Sequence, residues 1–93
     1  MAKYGGTLVA NTNTPVATAD GNRMAVAIQN LDAASAIKVE FGAAADTAAG
    51  SSSWHLAPSG SLVLARKDFP EIALSINLKS TGTPAYVVRD HTI

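Results

Sequence analysis

A hydrolytic triad can be written from Ser53, His55 and Asp90, and a second histidine stands at His91. Nucleophilic catalysis of that kind needs a hydroxyl on a strained turn, a base within hydrogen-bond reach and a carboxylate to orient the base. No Gly-x-Ser-x-Gly elbow surrounds Ser53, and Ser53 and His55 fall on the same side of one extended run. Spacing therefore gives the triad no support. The metal signatures His-x-His and His-Glu-x-x-His are missing, and Asp20-Gly21-Asn22 has oxygen ligands without the spacing of a calcium loop. It reads as a turn. No glycine-rich segment opens a helix that could cradle phosphate. The basic pair Arg66-Lys67 is neutralised at once by Asp68, and the aromatic residues Tyr4, Phe41, Trp54, Phe69 and Tyr86 are dispersed. A nucleic-acid platform needs aromatics and cations together. The expectation is a protein without catalytic residues, metal, cofactor or small-molecule substrate.

The elements that would position any site must fit in 93 residues, one domain's worth of chain. Seven Lys and Arg balance seven Asp and Glu, which argues against a nucleic-acid binder and a polybasic membrane anchor. Cysteine is absent, so disulfides, thiolate metal sites and cysteine nucleophiles are excluded. Charged residues make up only 15%, with eighteen Ala and sixteen Ser or Thr, a composition suited to a small-residue surface docked in an assembly. No apolar run is long enough to span a membrane, and Met1–Gly6 has no apolar signal segment, so synthesis and first use in a cytoplasm are expected.

The dominant hydrophobic period is two. Met24, Val26 and Ile28 alternate with smaller or polar residues, as do Ile37, Val39 and Phe41, and Ile72, Leu74 and Ile76. Leu62 with Leu64 and Tyr86 with Val88 form shorter runs of the same kind. Each reads as a strand with one buried face. Leu8–Ala10 and Val16–Thr18 are further strand candidates. Turn signals at Asp20-Gly21-Asn22, Leu31–Ser35, Pro58-Ser59-Gly60 and Thr81–Pro84 separate the runs. This punctuation predicts an all-β, antiparallel, jelly-roll-like sandwich of about seven or eight strands. The expected core is Leu8, Val16, Met24, Val26, Ile28, Ile37, Val39, Phe41, Leu62, Leu64, Ile72, Leu74, Ile76, Tyr86 and Val88. Gly42–Ser53 is expected to be a long loop with at most one helical turn. Residues 1–14, rich in Gly, Thr and Asn, read as an extended N-terminal arm or a frayed end, and 15–93 as the single sandwich domain.

Several of these runs also resemble a known group. Arg23–Asn30 is similar to the "R-x-x-h-x-I-Q-N" strand (h apolar) of small virion proteins of tailed bacteriophages. Ile37–Gly42 resembles their "h-x-V-x-F-G" strand, Leu56–Gly60 their "L-A-P-G-G" turn, and Phe69–Leu74 their "G-A-I-x-A-I" strand, with Pro70-Glu71 departing from the usual small residues. Tyr86–Arg89 fits the last strand. The resemblance covers roughly residues 15–90. It implies a β-sandwich of the capsid decoration or cement type, seated as a trimer on the outer capsid surface and bridging subunits of the major capsid protein. It equally implies a tail or fibre component.

Open sandwiches leave unpaired strand edges, and identical neighbours can cover them. The residues expected to make contacts are Tyr4, Leu8, Asn11 and Thr14 of the arm, and Trp54 and His55. Trp54-His55 could instead cover one end of the core. A carbohydrate-binding module is a further alternative, with Trp54 as the candidate aromatic. On the arm reading, deleting residues 1–14 lowers capsid occupancy and leaves the domain folded.

Overall fold

The computed structural model describes residues 2–48 and 53–92. Two four-stranded antiparallel sheets face each other. The strands are β1 (Ala2–Thr7), β2 (Thr14–Ala17), β3 (Arg23–Asn30), β4 (Ile37–Phe41), β5 (Trp54–Leu56), β6 (Ser61–Ala65), β7 (Ile76–Lys79) and β8 (Ala85–Thr92). The first sheet runs β1-β8-β3-β6 and the second β2-β7-β4-β5. Pairings β1·β8, β2·β7, β3·β6 and β4·β5 nest inside one another. That nesting is a long hairpin rolled up on itself, the strand order of a jelly roll.

Alternation along the strands fills the interior. Val26 and Ile28 from β3, Ile37 and Val39 from β4, Ile76 and Leu78 from β7 and Val88 from β8 are buried, joined by Leu8, Leu56, Leu64 and Tyr86. Of the expected core positions, Val16 and Leu62 are only partly buried against it, Ala17 taking the buried place after the register shift in β2, and two more lie outside it. Met24 is 39% exposed while Arg23 is 1% exposed, because the pairing with β8 shifts register between Arg23 and Ala25. One extra residue at such a bulge reverses the parity of everything before it. Leu74 is 46% exposed for a different reason. The segment read as one strand from Ile72 to Ile76 starts as a 3-10 helix, Pro70–Ala73, and becomes extended only in β7. Pro70 sets the first helical φ, and the Arg23 guanidinium binds the carbonyls of Ile72 and Leu74 at 2.9 and 3.0 Å. Those carbonyls are thereby diverted from a sheet ladder.

The opening segment differs from an arm. Residues 2–7 form β1 and pair with β8 from Ala2↔Asp90 to Thr7↔Ala85. Leu8 follows as a core residue, its N–H bonded to the Pro84 carbonyl at 2.9 Å. Leu8–Ala10 is not a strand, and among the described residues 42–48 there is no helical turn. Residues 49–52 of the long loop lie outside the described residues. Its described part is held down, with Ala45 buried and its N–H bonded to the Asn13 Oδ1 at 2.8 Å.

Turn chemistry sorts the glycines. Gly42 takes φ +82°, and a Cβ there would meet Leu74 Cδ1 at 2.9 Å, so the exit from β4 requires glycine. Gly21 needs no positive φ; the Asp20 carboxylate builds that turn by accepting the Asn22 N–H at 2.9 Å. In the Pro58-Ser59-Gly60 turn, the left-handed residue is Ser59, at φ +60°. The "L-A-P-G-G" pattern has glycine at that place. A left-handed non-glycine residue costs ~1–2 kcal/mol, partly offset in Ser59→Gly by the freer unfolded chain. Ser59→Gly is expected to raise stability by about 1 kcal/mol, read as a higher urea midpoint with an unchanged slope.

Candidate interaction surfaces

The buried polar groups are all engaged in holding the fold. Arg23 (1% exposed) donates from Nε to Asp90 Oδ2 at 3.0 Å, from Nη1 to Ile72 and Leu74, and from Nη2 to the Thr18 carbonyl at 2.9 Å. It ties together β3, β8, the 3-10 helix and the β2–β3 connection. At the opposite end of β3, the buried Asn30 donates to the Ser35 and Ala57 carbonyls at 2.7 and 3.2 Å and accepts the Asp32 N–H at 3.0 Å. Asp32 in turn caps the loop: hydrogen bonds from the Ser35 hydroxyl, then from the Ala34 N–H, hold its carboxyl below the ordinary carboxylate range. Ser80 Oγ donates to the Ala36 carbonyl at 2.6 Å. Among the described residues no buried side-chain N or O lacks a partner. Asp90 shares the parity of Tyr86 and Val88, which is the sequence signal by which its burial could have been found.

The three residues of the paper triad do not converge. Asp90 points into the core from the first sheet and holds Arg23. His55 is exposed on the outer face of the second sheet, so a sandwich thickness of ~10 Å separates them. Ser53 is buried, and its Oγ accepts the Asp46 N–H at 3.1 Å. His91 is exposed on the outer face of the first sheet, far from His55. No group of three metal-binding side chains occurs among the described residues.

The six residues expected to make contacts are likewise scattered. Leu8 is 1% exposed and belongs to the core, which removes it as a surface contact. Tyr4 is half-buried and packs on the core from β1. Asn11 is exposed at a turn with φ +59°, its N–H bonded to the Ser80 carbonyl at 2.8 Å. Thr14 is half-buried opposite Leu78. Trp54 packs inward, edge-on to Phe69 with ring centroids 5.4 Å apart and planes at 77°. It packs against the core as a partly buried side chain of β5. Asn11 and His55 are the two of the six that are exposed.

The surfaces that the fold does build are the two outer sheet faces. On the second sheet, Lys38 stands opposite Lys79 on one side and His55 on the other. This row of two lysines and a histidine was hidden in the sequence, because parity shows that each residue faces outward but only register makes them neighbours. Directly opposed like charges disfavour the sheet by ~0.2–1 kcal/mol. The outer face of the first sheet is different in kind. Ala25, Ala27, Val63, Ala65 and Val87 line it, Arg89 stands opposite Ala27 in its middle row, and Gln29 and His91 lie towards its ends. Shallow grooves cross it, lined by Ala27, Val63, Val87 and Arg89, and none closes into a cleft.

No family model matches the chain, and no curated protein or solved structure matches it either.

Proposed function

We propose that this protein is a structural component of a bacteriophage virion, a decoration or cement protein that binds the outer capsid surface and bridges major capsid protein subunits. The observation that carries this reading is the outer face of the first sheet. It is broad and made mainly of small side chains in a regular array, with Arg89 as a charged side chain opposite Ala27. Small ligands are held in concave pockets with converging polar groups, whereas a shallow face of this composition suits another protein's surface. The jelly-roll order and the strand motifs shared with small phage virion proteins support the same reading. Holding strength would come from repetition: each copy adds a modest contact across a subunit boundary, and many copies act together.

The test is fractionation of purified virions into heads and tails, followed by detection of the protein in each. Recovery with heads is the expected result. Recovery with tails favours the tail or fibre reading, and recovery with neither overturns the virion assignment. In addition, Ala27→Glu, at the centre of the outer face, is expected to lower occupancy on purified heads at least tenfold without moving the urea midpoint.

A further inference from the structure

We propose that β6 is a self-pairing edge, taking β6 of a second copy antiparallel about a two-fold axis at Val63. A sandwich of two open sheets has four edge strands, here β1, β6, β2 and β5. An edge presents a row of unpaired N–H and C=O groups, and monomeric proteins blunt it with charge, proline, bulges or shortness. Three edges carry such features. The sequence of β1 holds Lys3 and two adjacent glycines, β2 holds Pro15 and a register break, and β5 is only three residues long. The fourth does not. β6 reads Ser-Leu-Val-Leu-Ala, and its pairing with β3 runs from Ala25↔Ala65 to Gln29↔Ser61 without interruption.

A large exposed apolar side chain stands on β6 itself. Large exposed hydrophobics are Val9, Met24, Leu31, Val63 and Leu74, and Val63 is 73% exposed at the middle of β6. Met24 lies beside one end of β6, its carbonyl accepting the Arg66 N–H at 2.9 Å. Leu31 lies beside the other, next to Asn30, whose N–H bonds the Gly60 carbonyl at 2.9 Å. Val63 alone of the five projects from the edge strand itself; Met24, on β3, and Leu31, just after it, lie one strand in, and the Leu31 N–H bonds the Ala85 carbonyl of β8 at 2.9 Å.

The composition of β6 selects a second copy over a foreign strand. Antiparallel pairing about a two-fold axis sets each residue against its mirror position, and β6, Ser-Leu-Val-Leu-Ala, is nearly palindromic about Val63, so like side chains meet and no charges oppose. A strand that received a different protein would be free to carry charge complementary to it. β6 carries none. With the axis at Val63, Val63 meets its twin, Leu62 meets Leu64, and Ser61 meets Ala65. The first sheet then continues through both copies as one sheet of eight strands. This two-fold arrangement replaces the three-fold ring implied by the virion resemblance, and it does not depend on the capsid reading.

The experiment is sedimentation equilibrium of the full chain at 10–100 µM, with two variants. The wild type is expected at twice the 9.5 kDa protomer mass. Val63→Lys is expected to halve that mass while keeping the same circular dichroism, with a urea midpoint that no longer depends on protein concentration. The chain has no cysteine, so Val63→Cys gives a single thiol, expected to form a disulfide-linked dimer under mild oxidation. Thr7→Cys, on β1, is expected to remain unlinked. A monomeric wild type, a mass three times the protomer, or a dimer unmoved by Val63→Lys and not linked by Val63→Cys overturns the proposal.

Discussion

Replacing Arg23 with Met lowers the stability of this domain by about 3–5 kcal/mol, the cost of stranding a buried charge when its partner is removed. Asp90 is only 2% exposed and cannot recover hydration in the folded state. The carbonyls of Thr18, Ile72 and Leu74 lose their donor in the same step. A domain of 93 residues has a total stability of roughly 5–14 kcal/mol at ~0.05–0.15 kcal/mol per residue, so this one change removes a large fraction of it. Arg23→Met combined with Asp90→Leu is expected to recover at least half of the loss, because apolar side chains can fill the site once neither charge remains. Urea unfolding of the single and double variants at pH 7 gives both numbers. A loss below about 1 kcal/mol in the single variant would mean that the pair is hydrated in solution.

Deleting residues 1–14 is expected to abolish cooperative unfolding altogether. The deletion strips a six-residue strand from β8 and takes Leu8 out of the core. Removing the Leu8 side chain alone, as in Leu8→Ala, costs ~2–5 kcal/mol. Loss of the β1 backbone ladder and exposure of the inner face of β8 add to that, and the sum exceeds what a small domain holds in reserve. The arm reading makes the opposite forecast, a folded domain with weakened attachment to the capsid. Near-ultraviolet circular dichroism of the truncated chain separates the two: a native spectrum and a sharp urea transition would falsify the assignment of β1 to the sheet.

What could be read from the sequence was set by the range of the physics involved. Alternation is local, so the faces of β3, β4, β6 and β8 were legible from Val26, Ile37, Leu64 and Val88 without knowing any partner. Interruptions of alternation are not local. The bulge that turns Met24 outward exists because β8 pairs with β3 on both sides of it, and the 3-10 helix at Pro70–Ala73 is held by an arginine nearly fifty residues earlier. β1 looked like loop because glycines and a lysine are poor strand formers, and only its partner β8 makes it a strand. The surfaces followed the same division. The outward direction of Lys38, Lys79 and Val63 was readable, whereas their neighbours across the sheet needed register. Of the two amides that end β3, Asn30 bonds to backbone carbonyls and Gln29 is exposed.

The nested pairing sets an order of events during synthesis. The hairpin of β4 and β5 can close as soon as both have left the ribosome, and β3·β6 and β2·β7 can zip outward from it. β1 is made first and its partner β8 last. At translation rates of ~5–20 residues per second, the opening strand waits on the order of ten seconds for its place in the sheet. Through that interval its hydrogen-bonding groups are available to chaperones and to other nascent chains, and the lysine and paired glycines in its sequence make it a poor template for either.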